Sequence, residues 1–183
     1  MSNTELAKRL TDTLKSTFSK ELFNPWRDRC ADCLPCNGPD VKLARLAAHL
    51  ACEPDFILCG EAPSPRGCSH SGIAFTSECQ LLDERIPRIP KVNHRLTSGA
   101  NPYFERSATI VWDELYELGI EKRTILWNAL PMHPHGLEDP QSNRTPTSAE
   151  LKIGKLALQK LVEEFPSAKL LPSAERRKDC SNG

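Results

Sequence analysis

Two stretches of the chain hold most of its chemical capacity. The first, FILCGEAPSPRGCSHSGIAFTSE (Phe56 to Glu78), begins as a short apolar run and becomes a long loop of Glu, Pro, Gly and a single interior Phe. Glu61 follows Gly60 directly at the end of that run, where a carboxylate can act as a base or orient a water, or can cap the next turn. Phe75 stands after Gly72 among small polar groups. Its ring could form the flat wall of a pocket for a planar ligand, or serve as a core anchor. The second stretch, TILWNALPMHPHG, carries Asn128 at the end of another apolar run. A carboxamide has both donor and acceptor, which suits the edge of a nucleobase and also suits tying off a loop backbone.

His133 and His135 flank Pro134, but no neighbouring Cys or carboxylate pair completes a metal set, which leaves loop packing or phosphate contact. Arg85 and the following IPRIPKVNHR supply Arg85, Arg88, Lys91 and Arg95 without an intervening acid. This is the candidate polyanion surface, with a solvated loop beside Asp83 and Glu84 as the plainer alternative.

These residues need elements to position them. Leu6, Leu10, Leu14 and Phe18 form a helical stripe, and VKLARLAAHLACEP places Leu43, Leu46, Ala47 and Leu50 on one helix face with Pro54 beyond its end. DFILCG and TILWNAL read as strands buried on both faces, as in a parallel sheet. Between them, residues 79 to 106 mix Pro, Gly and basic groups without a period, a long loop or insertion. Ser107 to Gly119 then reads as a helix with an N-cap candidate and a terminal Gly, carrying Ile110, Val111, Leu115 and Leu118. Thr147 or Ser148 caps a further helix ending near Phe165, and AKLL (168 to 171) could be a third strand. This alternation predicts an α/β fold with a mostly parallel sheet, whose ligands sit beyond the carboxyl ends of the strands. The GEAP loop and the loop over 131 to 147 would then share one pocket.

At 183 residues the chain fits a single domain over 1–183. An N-terminal helix and Cys-containing loop occupy 1–40, and an irregular tail occupies 172–183. Its 24 basic and 24 acidic residues cancel, so any polyanion site must come from local charge placement. No apolar run reads as a signal peptide or membrane span, which predicts a protein of the cytoplasm. The eight cysteines are accordingly expected as free thiols or metal ligands rather than as a disulfide framework. There is no GxxxxGK[ST], GxGxxG or GxSxG, which argues against triphosphate, dinucleotide and esterase chemistry and toward a base-recognising pocket.

GEAPSPRGCSHSGIAFTSE followed by TILWNALPMHPHG resembles the uracil-DNA glycosylase superfamily, most of all a bacterial glycosylase-like branch, over about Phe23 to Leu171. That resemblance implies a three-layer α/β/α sandwich around a parallel sheet of about four strands. It also implies an enzyme of base excision repair that flips a damaged base out of DNA and hydrolyses its N-glycosidic bond. Carried over by position, Glu61 would orient the water or stabilise the cationic sugar. Phe75 would stack on the base, Asn128 would read its edge, and Gly60 with Ala62 would allow close backbone approach. The DNA would be gripped through Arg85, Arg88, Lys91, Arg95 and His133, by a protein acting as a monomer.

Two departures from the family pattern bear on this reading. A His-Pro-Ser-like loop should follow the strand after AKLL, but the chain runs into PSAERRKDCSNG, as expected of a C-terminally truncated or divergent member with the last strand missing. One branch of the superfamily also carries a [4Fe–4S] cluster on an N-terminal Cys-x-x-Cys and two later cysteines. Here no Cys lies between Cys79 and Cys180, so no metal or cofactor is expected, with an iron-sulfur cluster or zinc at Cys30, Cys33 and Cys36 as the alternative. The competing functional readings are a family member that binds nucleic acid without turnover and a small metal-binding interaction module.

Overall fold

The computed structural model describes residues 1–173; the expected irregular tail lies almost entirely outside them. Helix α1 (Asn3–Asp12) starts from a capping box in which the Ser2 hydroxyl takes the Glu5 amide and the Glu5 carboxylate takes the Ser2 amide. It buries Leu6, Ala7 and Leu10 but stops before the expected stripe does, so Phe18 is 78% exposed. A two-residue strand β1 (Leu22–Phe23) precedes the irregular Cys segment, and α2 (Pro39–His49) begins with Pro39 in its first turn. Strand β2 (Phe56–Gly60) leads into the short helices α3 (Cys68–Ser71) and α4 (Glu78–Leu82), then α5 (Arg106–Glu117) and a 3₁₀ turn. Strand β3 (Thr124–Asn128), the two-residue β4 (His133–Pro134), α6 (Ser148–Glu164) and β5 (Lys169–Pro172) complete the order.

Strands β3, β2 and β5 form a parallel sheet in that spatial order, with β2 in the middle. Phe56 pairs with Thr124 and Gly60 with Asn128, so the two candidate motifs end level with one another. Alternate residues face opposite layers, as the period of a strand requires. Ile57, Ile125 and Trp127 pack with α1, α2 and α6, whereas Leu126 packs with Trp112 and Leu115 of α5 and Leu81 of α4. The expected α/β sandwich with a parallel sheet is therefore the observed architecture, with three parallel strands among the described residues. β3 and β5 are the two outer strands of this sheet, and Leu170 and Leu171 of β5 are exposed. A separate antiparallel pair joins β1 to β4.

Two expectations for α5 change. It starts one residue earlier than expected, with Glu105 at the N-cap and no side-chain cap bond, so Ser107 does not cap it. The buried stripe is Ala108, Trp112 and Leu115, which turns Ile110 and Leu118 toward solvent. Helix α6 does begin from Thr147, whose hydroxyl and the Glu150 carboxylate form a capping box, as Ser77 and Gln80 do at α4. It packs flush onto the segment after β3: a Cβ added at Gly154 would lie 1.8 Å from the Ala129 carbonyl oxygen. No helix among the described residues is long and apolar enough to cross a membrane.

Candidate active site

The pairing of β2 and β3 continues one step past their ends. The Ala129 amide donates to the Gly60 carbonyl at 2.8 Å and the Leu130 amide to the Glu61 carbonyl at 2.9 Å. This pins the backbone of Glu61 while its side chain points to solvent. Gly60 is where three predicted residues meet. A Cβ there would lie 2.5 Å from the Phe75 ring and 2.7 Å from Asn128 Oδ1, so only glycine lets the ring and the carboxamide converge on this backbone.

Phe75 is held in place rather than merely packed. Its φ is +50°, a left-handed conformation that costs a non-glycine residue of order 1 kcal/mol or more. The indole Nε1 of buried Trp112 donates to its carbonyl at 2.9 Å, fixing that turn. The ring is only half-buried. Asn128 is 4% exposed, and among the described residues no protein group hydrogen-bonds its carboxamide, leaving both donor and acceptor for a ligand. Ala62 is half-buried against the core layer of α1, α2 and α6.

His133 lies inside the protein, 2% exposed, and donates from Nδ1 to the Pro63 carbonyl at 2.9 Å. Burial lowers its pKa, so it braces the GEAP turn as a neutral imidazole and is not on the surface where a phosphate would meet it. With His135 and His70 it lines a cavity of about 370 Å³.

The basic residues do not assemble into one surface. Arg85 pairs with Asp113 and lies over the Tyr116 ring, and Lys91 pairs with Glu84. Arg88, with φ +68°, turns inward and donates to the carbonyls of His49, Lys122 and Thr124, at the amino end of β3 and away from Gly60 and Asn128. Arg95 donates from Nε at 2.8 Å to Glu78, a fully buried carboxylate. Burial raises the Glu78 pKa, but bonds from Arg95, Thr97 and the amides of Tyr103 and Leu96 outweigh it and bring it down to about 2. Asp113 and Glu78 lie on other elements, which is why Arg85 and Arg95 looked unopposed, whereas Glu84 is the neighbouring acid of the plainer solvated-loop alternative. Arg66, in the GEAP loop itself, went unremarked in the sequence. It is exposed, and among the described residues it makes no ion pair or hydrogen bond.

Cys30 and Cys33 form a disulfide with Cα atoms 5.3 Å apart, unlike the free thiols expected there. A Cys-x-x-Cys turn is tight enough to bring its own sulfurs together. Cys36, Cys52, Cys59, Cys68 and Cys79 are free. The sulfurs of Cys30 and Cys33 meet His70, whereas the Cys36 sulfur lies by the Arg95 carbonyl at 3.9 Å. Among the described residues Cys30 and Cys33 meet one histidine, and no four cysteines come together.

At the carboxyl ends of its parallel strands the α/β sheet brings a glycine, an aromatic ring and a strand-end asparagine to one point. Among solved structures the chain is similar to wild-type SMUG2 from Pedobacter heparinus, with a TM-score of 0.57 over 94% of this chain and 76% of that one. Sequence identity is 11%, so the likeness is one of fold. No protein-family model and no curated protein matches the sequence.

Proposed function

We propose that the chain is a DNA glycosylase that takes a uracil or related deaminated base out of DNA and hydrolyses its N-glycosidic bond. The observation that carries this reading is the convergence of Phe75 and Asn128 on Gly60. A flipped base stacks on the Phe75 ring while the Asn128 carboxamide takes its hydrogen-bonding edge. Bond cleavage builds positive charge on the sugar and negative charge on the base. Glu61, one residue beyond Gly60, meets the sugar side of that bond, where its carboxylate orients water and offsets the developing cation. Gly60 and Ala62 keep the backbone close to the base. Arg66 contacts a neighbouring phosphate from the same loop. One pocket serves one extruded base, so the protein acts as a monomer, and the free thiols other than the Cys30–Cys33 pair suit a reducing cytoplasm.

The test is alkaline cleavage of a labelled duplex containing one U·G pair, with the native chain, Glu61→Ala and Asn128→Ala. Strand breaks by the native chain, reduced at least about 100-fold in both variants, are expected. Breaks that persist undiminished in both variants would overturn the residue roles. A second reading, binding without turnover, is favoured by the exposed Glu61 side chain, which no protein group holds among the described residues. Folded protein that retains the duplex in a gel shift but leaves no abasic site would establish it.

A further inference from the structure

The proposed glycosylase site makes no use of a second cluster, built where the segment after β1 meets α3. His70 Nδ1 lies 3.5 Å from Cys30 Sγ and 3.4 Å from Cys33 Sγ, and the imidazole is 1% exposed. In a tetrahedral zinc site with Zn–S about 2.3 Å and Zn–N about 2.0 Å, the sulfur to nitrogen edge is about 3.5 Å. The observed spacing matches that edge on both sulfurs, and the remaining edge, between the two bonded sulfurs, opens only when the disulfide is reduced.

Supporting contacts of the kind that orient metal ligands are also present. The Asn37 amide nitrogen donates to Cys33 Sγ at 3.6 Å and to the His70 carbonyl at 3.0 Å. Its orientation is fixed because Asn37 Oδ1 accepts from buried Arg45 at 2.7 Å. On the far side of the ring, His70 Nε2 has no hydrogen bond but faces Asp32 Oδ2 at 3.8 Å, and Asp32 is held by the Tyr103 hydroxyl. Tyr103 also packs its ring on His70, with centroids 4.7 Å apart. The loop is anchored by backbone bonds from Leu34 to Leu96 and from Ser98 to Asp32, each 2.9 Å.

We propose that, with the Cys30–Cys33 pair reduced, Cys30, Cys33 and His70 bind one zinc ion, with water from the adjoining cavity as the fourth ligand. Cys30 and His70 both line that cavity, which gives the fourth position access to solvent. Opening the disulfide takes two electrons and two protons from a dithiol reductant, which closes to its own disulfide. The metal then displaces the two thiol protons to solvent. The ligand set is one histidine recruited across 37 residues, with Cys36 outside it.

The test titrates cobalt(II), then zinc, into the anaerobic full-length chain after dithiol reduction and removal of the reductant. One equivalent of cobalt should give thiolate-to-metal charge transfer with the intense visible bands of a tetrahedral ion, and zinc should bleach both. Cys33→Ser and His70→Asn should each weaken zinc binding at least about 100-fold. Cys36→Ser should leave it unchanged. Circular dichroism establishes that each variant is folded, and if His70→Asn does not fold, the Cys33→Ser and Cys36→Ser pair decides. No metal uptake by the reduced native chain, uptake retained in Cys33→Ser or in folded His70→Asn, or uptake lost in Cys36→Ser would overturn the site. None of these readouts depends on glycosylase turnover.

Discussion

Gly60 shows how one missing side chain sets up the candidate site. Strand pairing places it opposite Asn128, and the Phe75 ring also comes within a carbon's reach, so the ring and the hydrogen-bonding group share the space a Cβ would fill. Both neighbours are restrained: Trp112 fixes the Phe75 backbone, and Asn128 is almost fully buried. Gly60→Ala is therefore expected to push the ring and carboxamide apart. Excision of uracil from a U·G duplex should fall at least about 10-fold, while stability drops by only about 1 kcal/mol, because the added methyl displaces side chains and not the sheet. Turnover compared with a urea melt separates the two effects. At this scale the sequence was informative for Gly60 and Asn128, which stand at the ends of recognisable strands, and for Phe75, the single aromatic inside the loop that follows the first of them. It was not informative for Arg88 and Arg95. Their partners, the Lys122 and Thr124 carbonyls and the Glu78 carboxylate, are chosen by tertiary packing that no local spacing reveals.

The same closeness governs how elements meet. Helix α6 lies against the turn leaving β3, with Gly154 over the Ala129 carbonyl and Pro131. That turn carries Ala129 and Leu130, whose amides pin the Gly60 and Glu61 backbone. Gly154→Ala would set its methyl against main chain that cannot swing aside, so α6 must lift. A loss of about 2 kcal/mol is expected in a denaturant titration, opposite in sign to the gain a glycine-to-alanine change gives in an uncrowded helix. Helix starts were readable where a capping box marks them, as at Thr147 with Glu150. They were less so at α5, which starts from Glu105 with no side-chain cap. Its buried face follows Trp112, not the Ile110 and Leu118 that hydropathy alone selects.

For the molecule as a whole, the layers are joined by buried polar groups as well as by apolar area. His49, fully buried at the end of α2, accepts the Leu126 amide at 2.9 Å on Nε2 and so ties the helix layer to β3. Burial, helped by the nearby Arg88 charge, pushes its pKa from 6.5 down to about 3. The unfolded chain takes up that proton first on acidification. The contribution is therefore complete above about pH 6.5 and is lost as pH falls toward 3. Roughly 2 kcal/mol should disappear between pH 7 and pH 5, before the carboxylates titrate in the unfolded chain. Urea midpoints at the two pH values should show a loss in the native chain that exceeds the loss in His49→Gln by roughly 2 kcal/mol, the remainder coming from His70 and His133, whose pKa values burial also lowers. The alternation of strand and helix patterns was enough to determine the α/β class, the parallel sheet and the strand ends where a site must lie, because burial on two faces and turn chemistry are local properties of a segment. The meeting of His70 with Cys30 and Cys33, the inward turn of Arg88 and the enclosure of His133 were decided by the tertiary structure alone. Each joins groups far apart in the chain, and only folding fixes which of many possible partners a charged or ligating side chain meets.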